Sequence, residues 1–386
     1  MLKIRTNVLN LRKNIEKKYD NMYIEKFFSK RRFFMKRLVT VLSLMLTILL
    51  ATMIGIVPVL TTAESATDKG VTFHFLDVNS IDKNVGGTGA APVGSADCIL
   101  IEDHGVVTLV DTGSEYLNSA NKVVKYIKDL GINKIDHLFL THPHNDHYGG
   151  VPVVVESFDI VNAYYTNLQD WNKVRPCEVQ WNTKYYFDVA IMALQEKINS
   201  DGSAVNLISP DNEGKVYQVT DDSYFTVYNC LAVVKNDYRE PEFNDFSMMM
   251  KYTYKDINAL FTGDVNIHYE YTLLGEVMPD GTRCAAGTAG AVAPVGEIDI
   301  FKLPHHGTQG SLSTLNFFNK INPSKTARFA VVTGYVSNVG AATRGRCKDN
   351  GYALKITSGT NGSADVVINT DGTLAGTKWL DNVKFE

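Results

Sequence analysis

The stretch Thr141-His142-Pro143-His144-Asn145-Asp146-His147-Tyr148-Gly149-Gly150 decides how this chain is read. Three imidazoles and a carboxylate fall within six residues, directly after the apolar segment Ile135 to Leu140. Side chains one and two positions apart, in a tight turn leaving a strand, can converge on two neighbouring points. His142 and His144 are then placed to grip one divalent metal, and Asp146 and His147 a second. The competing reading is a polar loop with incidental histidines, and spacing alone does not exclude it without structural context.

That context lies on both sides of the motif. Val106 to Val110 reads as a buried strand ending in Asp111-Thr112-Gly113. The spacing predicts a helix from about Asn118 to Leu130, with Val123, Ile127 and Leu130 on one face and Gly131 as its stop. Downstream, Ala259-Leu260-Phe261 runs into Thr262-Gly263-Asp264, and Ile298 to Leu303 runs into Pro304-His305-His306-Gly307. Each apolar strand ends in a potential ligand, so the ligands are expected to gather at one edge of a sheet.

The order Asp-Thr-Gly, His-x-His-x-Asp-His, Thr-Gly-Asp, His-His-Gly resembles that of the metallo-β-lactamase-fold hydrolases. Within them it is similar to the branch related to the C-terminal domain of the competence DNA-uptake channel. The similarity covers roughly Val71 to the C-terminus. Phe75-Leu76-Asp77-Val78 and Gly94-Ser95-Ala96-Asp97-Cys98-Ile99-Leu100-Ile101 match two pieces of that branch's opening strands, split here by the insertion Asn79 to Val93. The resemblance implies an α/β fold, a four-layer αββα sandwich with the site at one edge. One departure stands out. The wider fold usually supplies a third histidine to the first metal, and no histidine lies between His147 and His268. Asn244-Asp245-Phe246-Ser247 sits about where that ligand is expected, so Asn244, Asp245 or water is expected to fill the slot. Asn145 lies outside the ligand pattern.

Two divalent ions bridged by a carboxylate lower the pKa of a shared water until hydroxide exists near neutrality. Asp264 suits the bridge. His142 and His144 are expected on the first metal, with Asp146, His147 and one of His305 and His306 on the second; the sequence does not choose between that last pair. Asp146, Asp264 and His306 are the candidate catalytic residues. Zinc is the expected metal and manganese the alternative. Asp111 is expected to orient a ligand, or else to be an ordinary turn residue. The insertion carrying Tyr164, Tyr165, Trp171, Trp181, Tyr185, Tyr186 and Phe187 reads as a substrate wall or, better, as core or lid packing. Within it Lys184 to Ile198 is helix-like, with Tyr186, Val189, Met192 and Leu194 available for packing. His104, His137 and His268 fall outside the ligand motifs.

At 386 residues and 45% apolar content the chain can bury a large core. Residues 64–386 are expected to form one catalytic domain; no internal repeat or heptad pattern is evident, and the Gly/Ala-rich stretch Cys284 to Gly296 reads as a loop. Residues 1–34 read as a basic leader or upstream extension, and 35–63 as a signal peptide or membrane anchor. Leu38 to Leu60 is uncharged and nearly all apolar, Arg31, Arg32, Lys36 and Arg37 precede it, and Thr61-Thr62-Ala63 offers a cleavage point. The active-site turn then lies outside the cell, in a secreted protein or one anchored at the outer face of the cytoplasmic membrane. The five cysteines, Cys98, Cys177, Cys230, Cys284 and Cys347, are too scattered for a disulfide framework, and Cys98 is expected to be inert in a core strand. Residues 1–63 hold 12 Lys/Arg and 3 Asp/Glu, a balance of +9; against the whole-chain −4 this leaves −13 for residues 64–386. That sign argues against an avid nuclease with a long groove, though not against a small phosphodiester.

The expected function is therefore an exported metal-dependent hydrolase of phosphodiester or related phosphoester bonds, acting through a metal-bridged hydroxide. The alternatives are a cell-envelope phosphorylcholine-type esterase, a lactonase, and a non-catalytic envelope binding protein. The expected partner is a small-molecule or envelope-polymer substrate, with nucleic acid disfavoured by charge and the membrane touched only through the N-terminal segment.

Overall fold

Alternation along the strand Val71–Phe75 builds the centre of the domain. Val71, Phe73 and Phe75 enter one core while His74 points to the opposite face, as period-two side-chain geometry requires. The same division recurs in the neighbouring strand Ile99–Asp103, where Ile99 and Ile101 join that core and Leu100 joins another.

The structure is a computed structural model. It describes residues 70–376 apart from 79, 83–90, 116–118, 167–178, 213, 229–242, 266–273, 275–294, 309–313, 336–338 and 358–362. The chain divides into Met1–Thr67 and Asp68–Glu386, and all described residues belong to the second unit. The expected leader and apolar run over 1–63 lie outside the described residues, as do Trp171, Cys177, Cys230, His268 and Cys284. Among the described residues no helix is long and apolar enough to cross a membrane.

Two sheets face one another. The first has eight strands, in the order Leu374–Gly376, Ala364–Ile368, Val71–Phe75, Ile99–Asp103, Val106–Val110, Lys134–Phe139, Asp159–Tyr164, Asn206–Ile208. The second has seven, in the order Tyr352–Ile356, Arg328–Val332, Ile300–Lys302, Ile257–Phe261, Met249–Tyr254, Ser223–Tyr228, Val216–Thr220. Phe73, Phe75 and Phe139 of one sheet meet Phe225, Tyr252 and Phe261 of the other in the central core. Each such side chain contributes about 1.5–3 kcal/mol by leaving water. Helices Ser119–Asp129, Val151–Ser157 and Thr183–Glu196 bury Val123, Val154 and Leu194 on the outer face of the first sheet. Leu315–Ile321 and Ala341–Asp349 bury Phe317, Phe318 and Cys347 on the outer face of the second. The layers run helix, sheet, sheet, helix, as expected.

Two helices differ in detail from their expected faces. Ser119–Asp129 buries Val123 and Ile127, but Leu130 is 43% exposed. The left-handed turn at Gly131 (φ 79°) follows Leu130 and swings it out of the stripe. In Thr183–Glu196 the buried line is Tyr186, Ala190 and Leu194, while Met192 is 41% exposed. A spacing of four keeps residues on one face; Met192 lies outside it.

The strands that lead to the motifs are parallel to their neighbours: Val106–Val110 with Lys134–Phe139 in one sheet, and Ile257–Phe261 with Ile300–Lys302 and Arg328–Val332 in the other. Their C-terminal ends carry Asp111, the histidine turn, Asp264, His305 and His306, and Thr333. Gly150 lets the histidine turn approach the Asp111 turn, since a Cβ there would sit 2.1 Å from the Thr112 carbonyl oxygen.

Candidate metal centre

Asp111 organises the histidine turn. It takes a left-handed conformation (φ 57°) at the end of its strand, which non-glycine residues adopt at a cost of about 1–3 kcal/mol and chiefly where function requires it. Its carboxylate accepts from Thr141 N (2.9 Å), Thr141 Oγ1 (2.7 Å) and His147 Nδ1 (2.7 Å). With Nδ1–H donated to Asp111, the His147 Nε2 faces Asp264 Oδ2 at 3.2 Å. The expected orienting role of Asp111 is what the contacts describe, and the ordinary-turn alternative does not account for them.

The histidine pair at the start of the motif converges. His142 Nε2 lies 3.1 Å from His144 Nδ1 and 3.9 Å from Asp264 Oδ2. On the far side, His306 Nε2 lies 3.2 Å from Asp146 Oδ2 and 3.5 Å from Asp264 Oδ2. Two ligands of a tetrahedral ion with metal–ligand bonds of about 2.0–2.1 Å stand roughly 3.3 Å apart. The spacings therefore fit ions held between these atoms. Asp264 is central to both groups, and its backbone N–H donates to Ser247 Oγ (3.1 Å), which fixes the turn.

The structure separates His305 from His306. Both residues are left-handed (φ 49° and 52°), followed by Gly307 (φ 75°), and the two rings diverge, with centroids 6.1 Å apart. His306 is buried, and its Nδ1 donates to the Thr333 carbonyl (2.7 Å), leaving Nε2 toward Asp146 and Asp264. His305 is a third exposed and its Nε2 is 3.8 Å from Asp264 Oδ2. Asp146, His147, Asp264 and His306 form one group whose ligand atoms lie within 4.8 Å of one another.

Two residues that the sequence motifs do not reveal sit beneath this group. Asp97 accepts from Thr333 Oγ1, approaches His306 Nδ1 (3.1 Å), and is ion-paired with Lys302. Lys302 is fully buried and its Nζ donates to the Gly263 carbonyl (3.0 Å), 3.8 Å from Asp264 Oδ1. Its signal in the sequence is a lysine inside the apolar run Ile298 to Leu303, where neither sheet face offers it water.

The electrostatics favour a divalent cation. Burial disfavours charge on His147, but Asp264 and Asp111 outweigh it and hold its pKa well above the ordinary histidine value. Burial likewise opposes charge on His306, yet Asp264 and Asp97 push its pKa up to about 10. His142 goes the other way, lowered by burial and by the neighbouring imidazoles. Four carboxylates, Asp97, Asp111, Asp146 and Asp264, meet one fixed cation, Lys302, among the described residues of the group. The His147 Nε2 and Asp264 Oδ1 atoms are buried with no hydrogen-bond partner. Orphaned buried ligand atoms of this kind are expected where a metal completes the site.

The centre opens into a cavity of about 440 Å³ lined by His144, Asn145, Asp146, Gln180, Trp181, Asn182, Tyr186, Asn244, Asp264 and His305. Trp181 is 54% exposed and stands edge-on to His144, 5.4 Å between ring centroids. This corrects the packing expectation for that residue, because the turn before the Thr183–Glu196 helix carries it to the rim. Tyr186 is buried as expected, with its hydroxyl donating to Glu115 (2.6 Å) and accepting from Asn145 Nδ2 (3.1 Å). Asn145 thus ties the histidine turn to the insertion. Of the histidines outside the motifs, His137 bonds Tyr164 Oη (3.0 Å) and His104 meets Asp103 (2.6 Å), neither within the centre.

Residues 91–175, which contain Asp97, Asp111 and the histidine turn, match the metallo-beta-lactamase superfamily model. Over those residues the chain is similar to that superfamily. Metallo-beta-lactamase superfamily proteins are generally metal-dependent hydrolases, and the His/Asp cluster is able to bind metal. Among solved structures, the Rm3 metallo-beta-lactamase is similar at 14% identity, over 50% of this chain and 62% of that one, with a TM-score of 0.28. The SMB-1 enzyme is similar at 12% identity, over 51% and 63%, with a TM-score of 0.30. The metallo-beta-lactamase fold protein YhfI from Bacillus subtilis is similar at 13% identity, over 75% and 98%, with a TM-score of 0.41. The chain thus spans less than two thirds of the first two, and likeness at this level says nothing of substrate. No curated protein sequence matches.

Proposed function

We propose that the domain is an exported hydrolase of phosphodiester or related phosphoester bonds that works with two divalent metal ions. The observation that carries this reading is the position of Asp264. Its Oδ2 lies 3.2 to 3.9 Å from ring nitrogens of His142, His147, His305 and His306, in the lining of an open cavity. His142 and His144 would hold one ion, Asp146, His147 and His306 the other, with Asp264 between them. Bound ions would supply Lewis acidity toward a phosphoryl oxygen and a lowered pKa for the attacking water.

The chain's own residues do the positioning. Asp111 fixes the tautomer of His147, and the Thr333 carbonyl with Asp97 fixes that of His306, so each presents Nε2 to the centre. His305, on the cavity wall, faces the substrate side and is placed to meet a leaving group. The motif order shared with the competence DNA-uptake branch supports a phosphoester; the net −13 of residues 64–386 supports a small substrate over a long polyanion. Zinc is the first choice of metal.

One observation favours a second reading. Trp181 at the rim offers an aromatic face to a cationic headgroup, which suits a phosphorylcholine-type envelope ester. The test is hydrolysis of bis(p-nitrophenyl) phosphate and of p-nitrophenylphosphorylcholine by the purified chain, before and after chelation. Turnover lost to chelator and restored by zinc or manganese supports the proposal. A preference of more than tenfold for the choline ester selects the second reading, and no turnover of either ester rejects both.

A further inference from the structure

Asn244 belongs to a short 3-10 turn, Phe243–Phe246, that is docked against the histidine turn. The Met248 N–H donates to the Thr141 carbonyl (2.9 Å), the Asp264 N–H donates to Ser247 Oγ (3.1 Å), and the Phe243 ring stands 6.3 Å from that of His144. The turn is thereby held on the His142 and His144 side of the centre. Asn244 itself is 7% exposed, and its Oδ1 is buried with no hydrogen-bond partner among the described residues. The side chain lines the same cavity as His144 and Asp264.

A carboxamide oxygen buried away from water without a partner is destabilising, because its lost hydration is not replaced. Folded proteins leave such an atom bare where something outside the protein completes it. The atoms orphaned in this region share a character. His147 Nε2, Asp264 Oδ1 and Asn244 Oδ1 are all atoms able to offer a lone pair to a cation, and among the described residues none of them has a hydrogen-bond partner. A cation satisfies all three.

We propose that Asn244, through Oδ1, is the remaining protein ligand of the first metal position, beside His142, His144 and Asp264. The inference rests on the two-ion reading above and deepens it. Two imidazoles with two oxygens make a harder donor set than three imidazoles with one oxygen, so this position should discriminate less against manganese in favour of zinc. The side chain of Asp245 lies outside the described residues.

The test is metal binding rather than turnover. The purified chain is stripped with chelator and titrated with Zn(II) or Mn(II) against a chromophoric chelator, with bound metal counted by mass spectrometry. The variants are Asn244→Ala, Asn244→Asp, Asn244→His and, as a reference for the first position, His142→Ala. Wild type is expected to hold two equivalents. Asn244→Ala should weaken one equivalent by at least about tenfold, the lower bound for groups one bond further from a metal, and it should be the equivalent that His142→Ala weakens. Asn244→Asp keeps an oxygen and should retain both. Asn244→His should raise zinc-over-manganese selectivity at that equivalent by tenfold or more.

Wild-type affinities in Asn244→Ala, equal weakening in Asn244→Ala and Asn244→Asp, or weakening of the equivalent that His142→Ala leaves intact would each overturn the assignment while leaving the two-ion reading in place. Fewer than two equivalents in wild type would overturn both.

Discussion

Replacing Lys302 by methionine removes the one fixed cation beneath the centre among the described residues while keeping most of the side chain's length. Lys302 is 0% exposed and Asp97 is 1% exposed, and Asp97 depends on that ammonium together with Thr333 Oγ1 and His306 Nδ1. Burial works against ionising Asp97, and Lys302 followed by His306 holds its pKa below the ordinary carboxylate range. Breaking one half of a buried pair costs about 3–5 kcal/mol, because the other charge is left without compensation. At roughly 2–3 °C per kcal/mol for a large domain, the melting temperature of metal-stripped protein should fall by about 6–15 °C. Circular dichroism melts and urea titration measure this. The companion variant Asp97→Asn with Lys302→Met removes both charges of this pair and should recover part of the loss, a non-additivity expected of contacting residues. A Lys302→Met stability within about 1 kcal/mol of wild type, the size of an average substitution, would refute the argument.

Four further outcomes follow. His74 is clamped by Asp365 (3.0 Å) and Glu102 (2.9 Å); burial opposes its charge, yet these partners push its pKa up to about 9. The clamp's stabilisation is full below the unfolded histidine value near 6.5 and is lost as pH rises through about 9. The destabilisation by His74→Gln, measured in urea, should therefore shrink by on the order of 2 kcal/mol between pH 6 and pH 10, after discounting for the partly exposed carboxylates; a pH-independent difference contradicts it. Asp111→Ala should lower metal affinity by about 10–100-fold through misorientation of His147, read by the same chelator competition. Cys98 and Cys347 are buried, and burial pushes both thiols up, Cys347 to about 12; peptide mapping should find them unlabelled by a thiol reagent in the native state and labelled in urea. Trp181→Ala should raise KM with little change in kcat, since the ring lines the cavity but carries no candidate ligand atom.

Much of the candidate centre is legible in the sequence because each candidate ligand follows an apolar strand. Runs such as Val106 to Val110 and Ile257 to Phe261 must be strands in a buried sheet, and their ends must fall together. The choice between His305 and His306 was not legible, because it depends on two consecutive left-handed residues that no propensity predicts. Asp97 and Lys302 were missed for another reason. They lie 205 positions apart in sequence, numbers 97 and 302, Asp97 just before a strand of the first sheet and Lys302 at the end of a strand in the second, so neither one alone reveals its partner. Trp181 reads as packing in the sequence because helical spacing continues just after it; the helix begins at Thr183, two residues later, and the preceding turn sets the ring at the cavity rim.

The central claim is that two ions share Asp264. Anomalous scattering from crystals of the chain grown with zinc, recorded on both sides of the metal edge, tests it most directly. The account predicts two peaks about 3.5–4 Å apart, the spacing of bridged hydrolytic pairs. One should touch His142, His144 and Asp264, the other Asp146, His147, His306 and Asp264. A fully loaded crystal with no ion on both His144 and Asp264, or with one ion only, would contradict it.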